Sequence, residues 1–95
     1  MAIRQIITFR LKPGAATAFV MAFGPVVERV QREDGCQEYE LFTSPSRPDV
    51  VVVLERWRDI RALEAALARD YPDLPDRSTL LSYVDGPPMR ERFEV

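Results

Sequence analysis

Glu55 and Trp57 stand two residues apart, directly after an unbroken apolar run from Val50 to Leu54. In an extended strand they share one face. A carboxylate flanked by Val53, Leu54 and Trp57 loses water, which raises its pKa and equips it to accept a proton. The competing reading of Glu55 is an ion pair with Arg10 or Arg56. Trp57, the only tryptophan, either walls a pocket for a flat ligand or plugs the end of the core. Asp59 is the second candidate proton acceptor. Tyr39, and after it Tyr71 and Tyr83, offer hydroxyls to a substrate oxygen, although tyrosines at such places also serve as amphipathic packing. Arg10 and Arg56 offer positive charge to a developing anion, although most surface arginines are solvated or paired. The catalytic candidates are therefore Glu55 and Asp59, with Trp57, Tyr39, Arg10, Arg56 and Tyr83 as substrate-binding candidates.

The chain has no histidine. The residue most used as general base and metal ligand is thus missing, and proton transfer falls to carboxylates, tyrosines or the substrate. Cys36 stands alone, so no internal disulfide forms, and no histidine or lysine lies near it in sequence to activate its thiol. The carboxylates have no metal-ligand spacing and the glycines form no phosphate loop. No cofactor is expected.

These side chains need a scaffold, and the chain is one domain's worth at 95 residues. Hydrophobic residues make up 46% and charged residues 29%, an ordinary globular balance. A net charge of −2 gives no basic surface for nucleic acid. No apolar run is long enough to span a membrane and the first residues lack a signal-peptide core, so a cytoplasmic location is expected.

Alternation predicts a strand over residues 2–12, with Ile3, Ile7, Phe9 and Leu11 on one side. Phe19, Phe23, Val26, Val27 and Val30 mark one face of a helix over 15–33. Pro25 removes a backbone hydrogen bond there, which predicts a kink or break near Phe23. Gly35 is placed to end that helix in a left-handed conformation. Residues 36–43 and 49–57 read as a hairpin around Ser44–Pro48, with Tyr39 and Leu41 on the opposite face from Glu38, Glu40 and Phe42. Asp59 caps a helix over 60–70 and Asp76 a short one over 77–85. Residues 89–95 read as a last strand, with Met89, Phe93 and Val95 facing inward.

Strand, helix, strand, strand, helix, short helix, strand is the split βαβ, ferredoxin-like order of an α+β fold with a four-stranded antiparallel sheet. The third strand is apolar on both sides, yet the helices cover one face only. The uncovered valines call for a second copy of the chain, which predicts a homodimer joined through the sheet face as a dimeric α+β barrel.

Several stretches resemble the antibiotic biosynthesis monooxygenase domain: Gly35-Cys36-Gln37-Glu38-Tyr39-Glu40-Leu41-Phe42, Ser44-Pro45, Val52-Val53-Leu54-Glu55-Arg56-Trp57-Arg58-Asp59, and Ala62-Leu63-Glu64-Ala65. Lys12-Pro13-Gly14 and the closing Gly86-Pro87-Pro88 also look like that family. The resemblance spans nearly the whole chain as one domain, 1–95, and implies a dimeric α+β barrel. It also implies an activity, because some members oxygenate anthrones or quinols without metal or flavin while others degrade haem. Members often carry a histidine in the helix after the tryptophan. Here that place is Ala66, so a haem-degrading role is not expected and any oxygenation must proceed without that histidine.

The resulting expectation is a cofactor-independent monooxygenase acting with O2 on an electron-rich, quinol- or anthrone-like aromatic. The alternatives are a non-catalytic dimeric module that binds a small apolar ligand or a partner, and carboxylate acid–base chemistry such as isomerisation on the same barrel. The latter needs two carboxylates facing one cavity.

Overall fold

A computed structural model describes residues 1–95. The four strands are β1 (Ile3–Arg10), β2 (Cys36–Thr43), β3 (Val50–Trp57) and β4 (Met89–Glu94); the helices are α1 (Ala16–Val30), α2 (Ile60–Leu67) and α3 (Arg77–Leu81). The sheet order is β2-β3-β1-β4 with every pair antiparallel. The ferredoxin-like α+β architecture read from the order of elements is therefore the fold. The apolar β3 is central because it is covered more completely than any edge strand.

Strand alternation sends Ile3, Gln5, Ile7 and Phe9 of β1 and Val51, Val53, Glu55 and Trp57 of β3 to the helix side, all buried. Phe19 and Phe23 of α1 meet them, with ring centroids 5.2 Å apart for Phe9–Phe19 and 5.4 Å for Phe19–Phe23. Leu63 of α2 closes the core at 1% exposure. The opposite face carries Ile6, Val50, Val52 and Leu54, half-buried in one chain, beside exposed Phe42.

Two expectations need correction. Helix α1 runs unbroken through Pro25. Pro25 and Met21 both lie on the solvent side, so water can satisfy the carbonyl that proline leaves without its helical partner. The second concerns β4. Its register pairs Arg4 with Phe93 and Thr8 with Met89, which puts Phe93 and Met89 on the open face, 47% and 62% exposed, and not inward. Val95, also expected inward, is 48% exposed. Arg90, Arg92 and Glu94, opposite Ile7, Gln5 and Ile3, take the helix side instead. β4 is an edge strand that packs chiefly on β1, so its helix side stays open to solvent and tolerates charge.

Gly35 does adopt the left-handed conformation, at φ 82°, but four residues beyond the last residue of the α1 cap. Its carbonyl accepts from Arg58 N–H at 2.8 Å, tying the start of β2 to the end of β3.

Candidate functional site

The helix side of the sheet buries two polar residues, Gln5 at 0% and Glu55 at 2% exposure. They are cross-strand partners in the β1–β3 register. Gln5 Nε2 donates to Glu55 Oε2 at 2.9 Å, and Trp57 Nε1 donates to Glu55 Oε1 at 2.9 Å. Arg92 Nε, from β4, donates to Gln5 Oε1 at 2.6 Å. Burial pushes the Glu55 carboxyl above its ordinary 4.5; the bonds from Gln5 and Trp57, and the charges of Arg90 and Arg92, oppose that rise. A carboxyl with a raised folded-state pKa contributes its full stability below 4.5 and loses it as pH rises through the folded value. The Trp57 indole N–H resonance is expected to follow this titration with a midpoint above 4.5, read by NMR across acid to neutral pH. A midpoint at or below 4.5 would show that the donors outweigh burial.

The anticipated ion pair of Glu55 with Arg10 or Arg56 does not form. Arg56 lies on the opposite face, where its Nε donates to Gln37 Oε1 at 3.0 Å. Arg10 is exposed at the far end of β1 on that same opposite face. Neither shares a cavity with Trp57. Tyr83 is also remote: it lies beyond the far end of β1, its ring meeting Phe19 edge-on at 6.4 Å. Tyr39 does pair with Glu55 across β2–β3, but it is buried and stacked on Phe23 at 6.5 Å. Burial first, then the Glu55 charge, drives its hydroxyl pKa upward. Tyr71 donates to Glu33 Oε1 at 2.8 Å, a bond already satisfied within the chain. Cys36 is pushed up to about 11 by burial and by Glu55, which makes it a poor nucleophile.

Asp59 is the N-cap of α2, accepting from Ala62 N–H at 2.9 Å. That bond, and Arg58 beside it, hold its carboxyl below the usual range. It lines an open cleft of about 540 Å³ together with Met1, Ile3, Ile60, Arg92, Phe93 and Glu94. The structure thus brings Glu55, Trp57 and Tyr39 together in the core and sets Asp59 nearby on a cleft that neither Glu55 nor Trp57 lines. The cleft and the buried carboxylate communicate through Arg92 and Gln5.

Gln5, Arg92 and Arg90 escape the sequence reading. Gln5 had a signal: it interrupts the apolar alternation of Ile3, Ile7 and Phe9. The arginines had none, because their face depends on the β4 register. No group of three His, Cys, Asp or Glu side chains is arranged to hold a metal ion, and no helix is long and apolar enough to cross a membrane.

A four-stranded antiparallel sheet in the order β2-β3-β1-β4 with helices on one face is the ferredoxin-like α+β class. The antibiotic biosynthesis monooxygenase family model matches residues 2–71, and the chain belongs to that family. Its fold is shared with a conserved protein from Methanosarcina mazei at 21% identity, covering 98% of this chain and 91% of that one with a TM-score of 0.88. A Shewanella oneidensis protein is 26% identical over 97% of this chain and 88% of its own, with a TM-score of 0.85. A variant of SnoaB, a cofactor-independent oxygenase from Streptomyces nogalater, is 20% identical over 99% and 92% of the two chains, with a TM-score of 0.83. No curated protein matches the sequence.

Proposed function

We propose that this chain is a cofactor-independent monooxygenase that oxidises an electron-rich aromatic with O2. Family membership carries the reading. The cleft with apolar walls at Met1, Ile3, Ile60 and Phe93, and carboxylates at its rim, supports it.

For an anthrone-like substrate the chemistry closes without an outside reductant. The activated methylene loses a proton and its carbanion passes one electron to O2. The radical pair joins as a hydroperoxide, which loses water to leave a ketone. One oxygen atom stays on the carbon and the other departs as water, with all four electrons coming from the substrate. Asp59 is the carboxylate that can take the proton directly, since it lines the cleft. Its lowered pKa makes it a weak base, so the substrate must be acidified by nearby positive charge. Glu55 is the stronger base but both its oxygens are occupied by donors within the core.

Oxygen-electrode measurements on metal-free protein with anthrone and quinol substrates test this reading. Uptake above the uncatalysed rate is expected, and Asp59→Asn is expected to lower it by about 10²–10⁴-fold, the usual worth of a positioned base. No uptake across the panel would remove the proposal. The second reading, a ligand-binding module without catalysis, is favoured by one observation: Trp57 and Tyr39 are buried in the core and do not border the cleft.

The working form in this proposal is a homodimer. Ile6, Val50, Val52 and Leu54 form a half-buried apolar strip with exposed Phe42, Met89 and Phe93 around it. A strip of this kind is stable in water when a second copy covers it. Sedimentation is expected to give a dimer at micromolar concentration, and Val52→Glu, which sets a charge mid-strip, a monomer. A wild-type monomer at that concentration would rule the homodimer out.

A further inference from the structure

Arg92 is more restrained than an exposed edge-strand arginine usually is. Its Nε donates to the fully buried Gln5, Gln5 donates to Glu55, and Glu55 accepts from Trp57. Each link has a fixed direction. Guanidinium and indole groups only donate, so the Gln5 amide must turn its oxygen to Arg92 and its nitrogen to Glu55. Position 55 must then accept at both ends, which an ionised carboxylate does and an amide does not. The chain ends at the cleft in a guanidinium whose two Nη groups form no hydrogen bond or ion pair within the protein.

The other cleft residues narrow what fits. Asp59 and Glu94 add two carboxylates, and Ile3, Ile60, Phe93 and Met1 an apolar wall. A ligand carboxylate would meet Arg92 but also the two acids; a plain hydrocarbon would leave Arg92 without a partner. A ring with one ionised oxygen and one neighbouring hydroxyl satisfies all three, its oxyanion taking the arginine fork and its hydroxyl donating to a rim carboxylate. We propose that Arg92 holds the anionic oxygen of a dihydroxylated aromatic in this cleft, and that Glu55, through Gln5, is the positioning residue that orients it. The proposal rests on the cleft being the ligand site described above, and not on the oxygen chemistry. Arg90 shares the Arg92 face of β4 and its charge also acts on Glu55, but it neither lines the cleft nor bonds to Gln5, which makes it the control for charge without contact.

The test is an anaerobic titration of 2,3-dihydroxynaphthalene, with ionisation of the bound probe read from its phenolate absorption as a function of pH. Binding to wild type is expected to favour the monoanion by about tenfold, lowering the probe's apparent pKa by about one unit. Arg92→Gln is expected to abolish that shift, Arg92→Lys to keep part of it, and Arg90→Gln to change it less than about twofold. Glu55→Gln, with its fold verified by circular dichroism, is expected to lose most of the shift although Arg92 is intact, which a purely structural Glu55 would not do. Neutral probe bound by wild type, an Arg92→Gln protein that ionises the probe equally well, or tighter binding of 2-naphthoate than of the diol would overturn the assignment of Arg92. An unchanged shift in Glu55→Gln would overturn the positioning role. The absence of oxygen makes the two failures separable. Ionising binding without later O2 uptake removes only the oxygenase reading. Unchanged uptake in Arg92→Gln removes only this one.

Discussion

Trp57→Ala is expected to lower the melting temperature by at least about 15 °C, or to abolish a cooperative transition, since a domain of this size loses roughly 4–8 °C for each kcal/mol. Trp57 is 1% exposed and fills the end of the core. Truncating a buried tryptophan costs about 3–5 kcal/mol in lost contacts and cavity. The change also leaves Glu55 Oε1 buried without the indole donor it now has at 2.9 Å, adding about 1–3 kcal/mol. Against a typical total of about 5–15 kcal/mol, these losses are large. Trp57→Phe separates the two parts, because it keeps most of the ring and removes only the N–H. Its deficit is expected to be about 1–3 kcal/mol at neutral pH. The deficit should shrink in acid. Losing a bond that favours the ionised carboxyl pushes the already raised Glu55 pKa further up, so the penalty appears as pH climbs through the folded value and fades below 4.5, where Glu55 is neutral in both proteins. Thermal unfolding at several pH values measures this, and a pH-independent deficit would mean that the indole bond contributes nothing to holding Glu55 ionised.

Gly35→Ala is the second large effect, with an expected cost of about 2–5 kcal/mol. A side chain at φ 82° is strained by about 1–2 kcal/mol. The added Cβ would also lie 2.5 Å from Ala62 Cβ, in α2, and relieving such an overlap costs about 1–3 kcal/mol more. Gly86 has the same φ of 82°, and Gly14 a φ of 77°, but nothing lies within 4 Å of a Cβ at either. Alanine there should cost only the backbone part. The double variant Gly35→Ala with Ala62→Gly removes the overlap and is expected to recover part of the loss, less about 1 kcal/mol for glycine inside a helix. Urea unfolding of the four proteins tests this, and equal costs at Gly35 and Gly86 would mean that α2 moves aside freely. The position bears on function because Gly35 O holds Arg58 N–H, between Trp57 of the core and Asp59 of the cleft. A shift there should also weaken ligand binding.

Much of the fold was legible because local patterning and topology agree. Val50 to Leu54 reads as a strand from its β-branched apolar run, and β3 is central. Asp59 and Asp76 read as caps and both accept the capping bond, from Ala62 and Thr79. Pro25 leaves α1 unbroken because its turn faces water, an orientation that the residue type does not state. Of the proposed site residues, Glu55, Trp57 and Tyr39 come together because strand alternation and the β2–β3 hairpin register place them. Arg10 and Arg56 offer charge, but strand alternation puts both on the face opposite Glu55.

What the order of residues settled was the kind of protein: a split βαβ chain with no histidine to run its chemistry, and a carboxylate sharing a strand face with its only tryptophan. Periodicities of two and 3.6 residues act over a few neighbours, so a single chain displays them directly. The tertiary structure alone decided that Gln5 meets Glu55, that β4 turns Arg92 and not Phe93 toward the helix side, and that Arg92 links a buried acid to an open cleft. Those contacts join residues up to 87 positions apart. They depend on strand register, where a slip of one residue exchanges the two faces, and nothing local in the sequence records that choice.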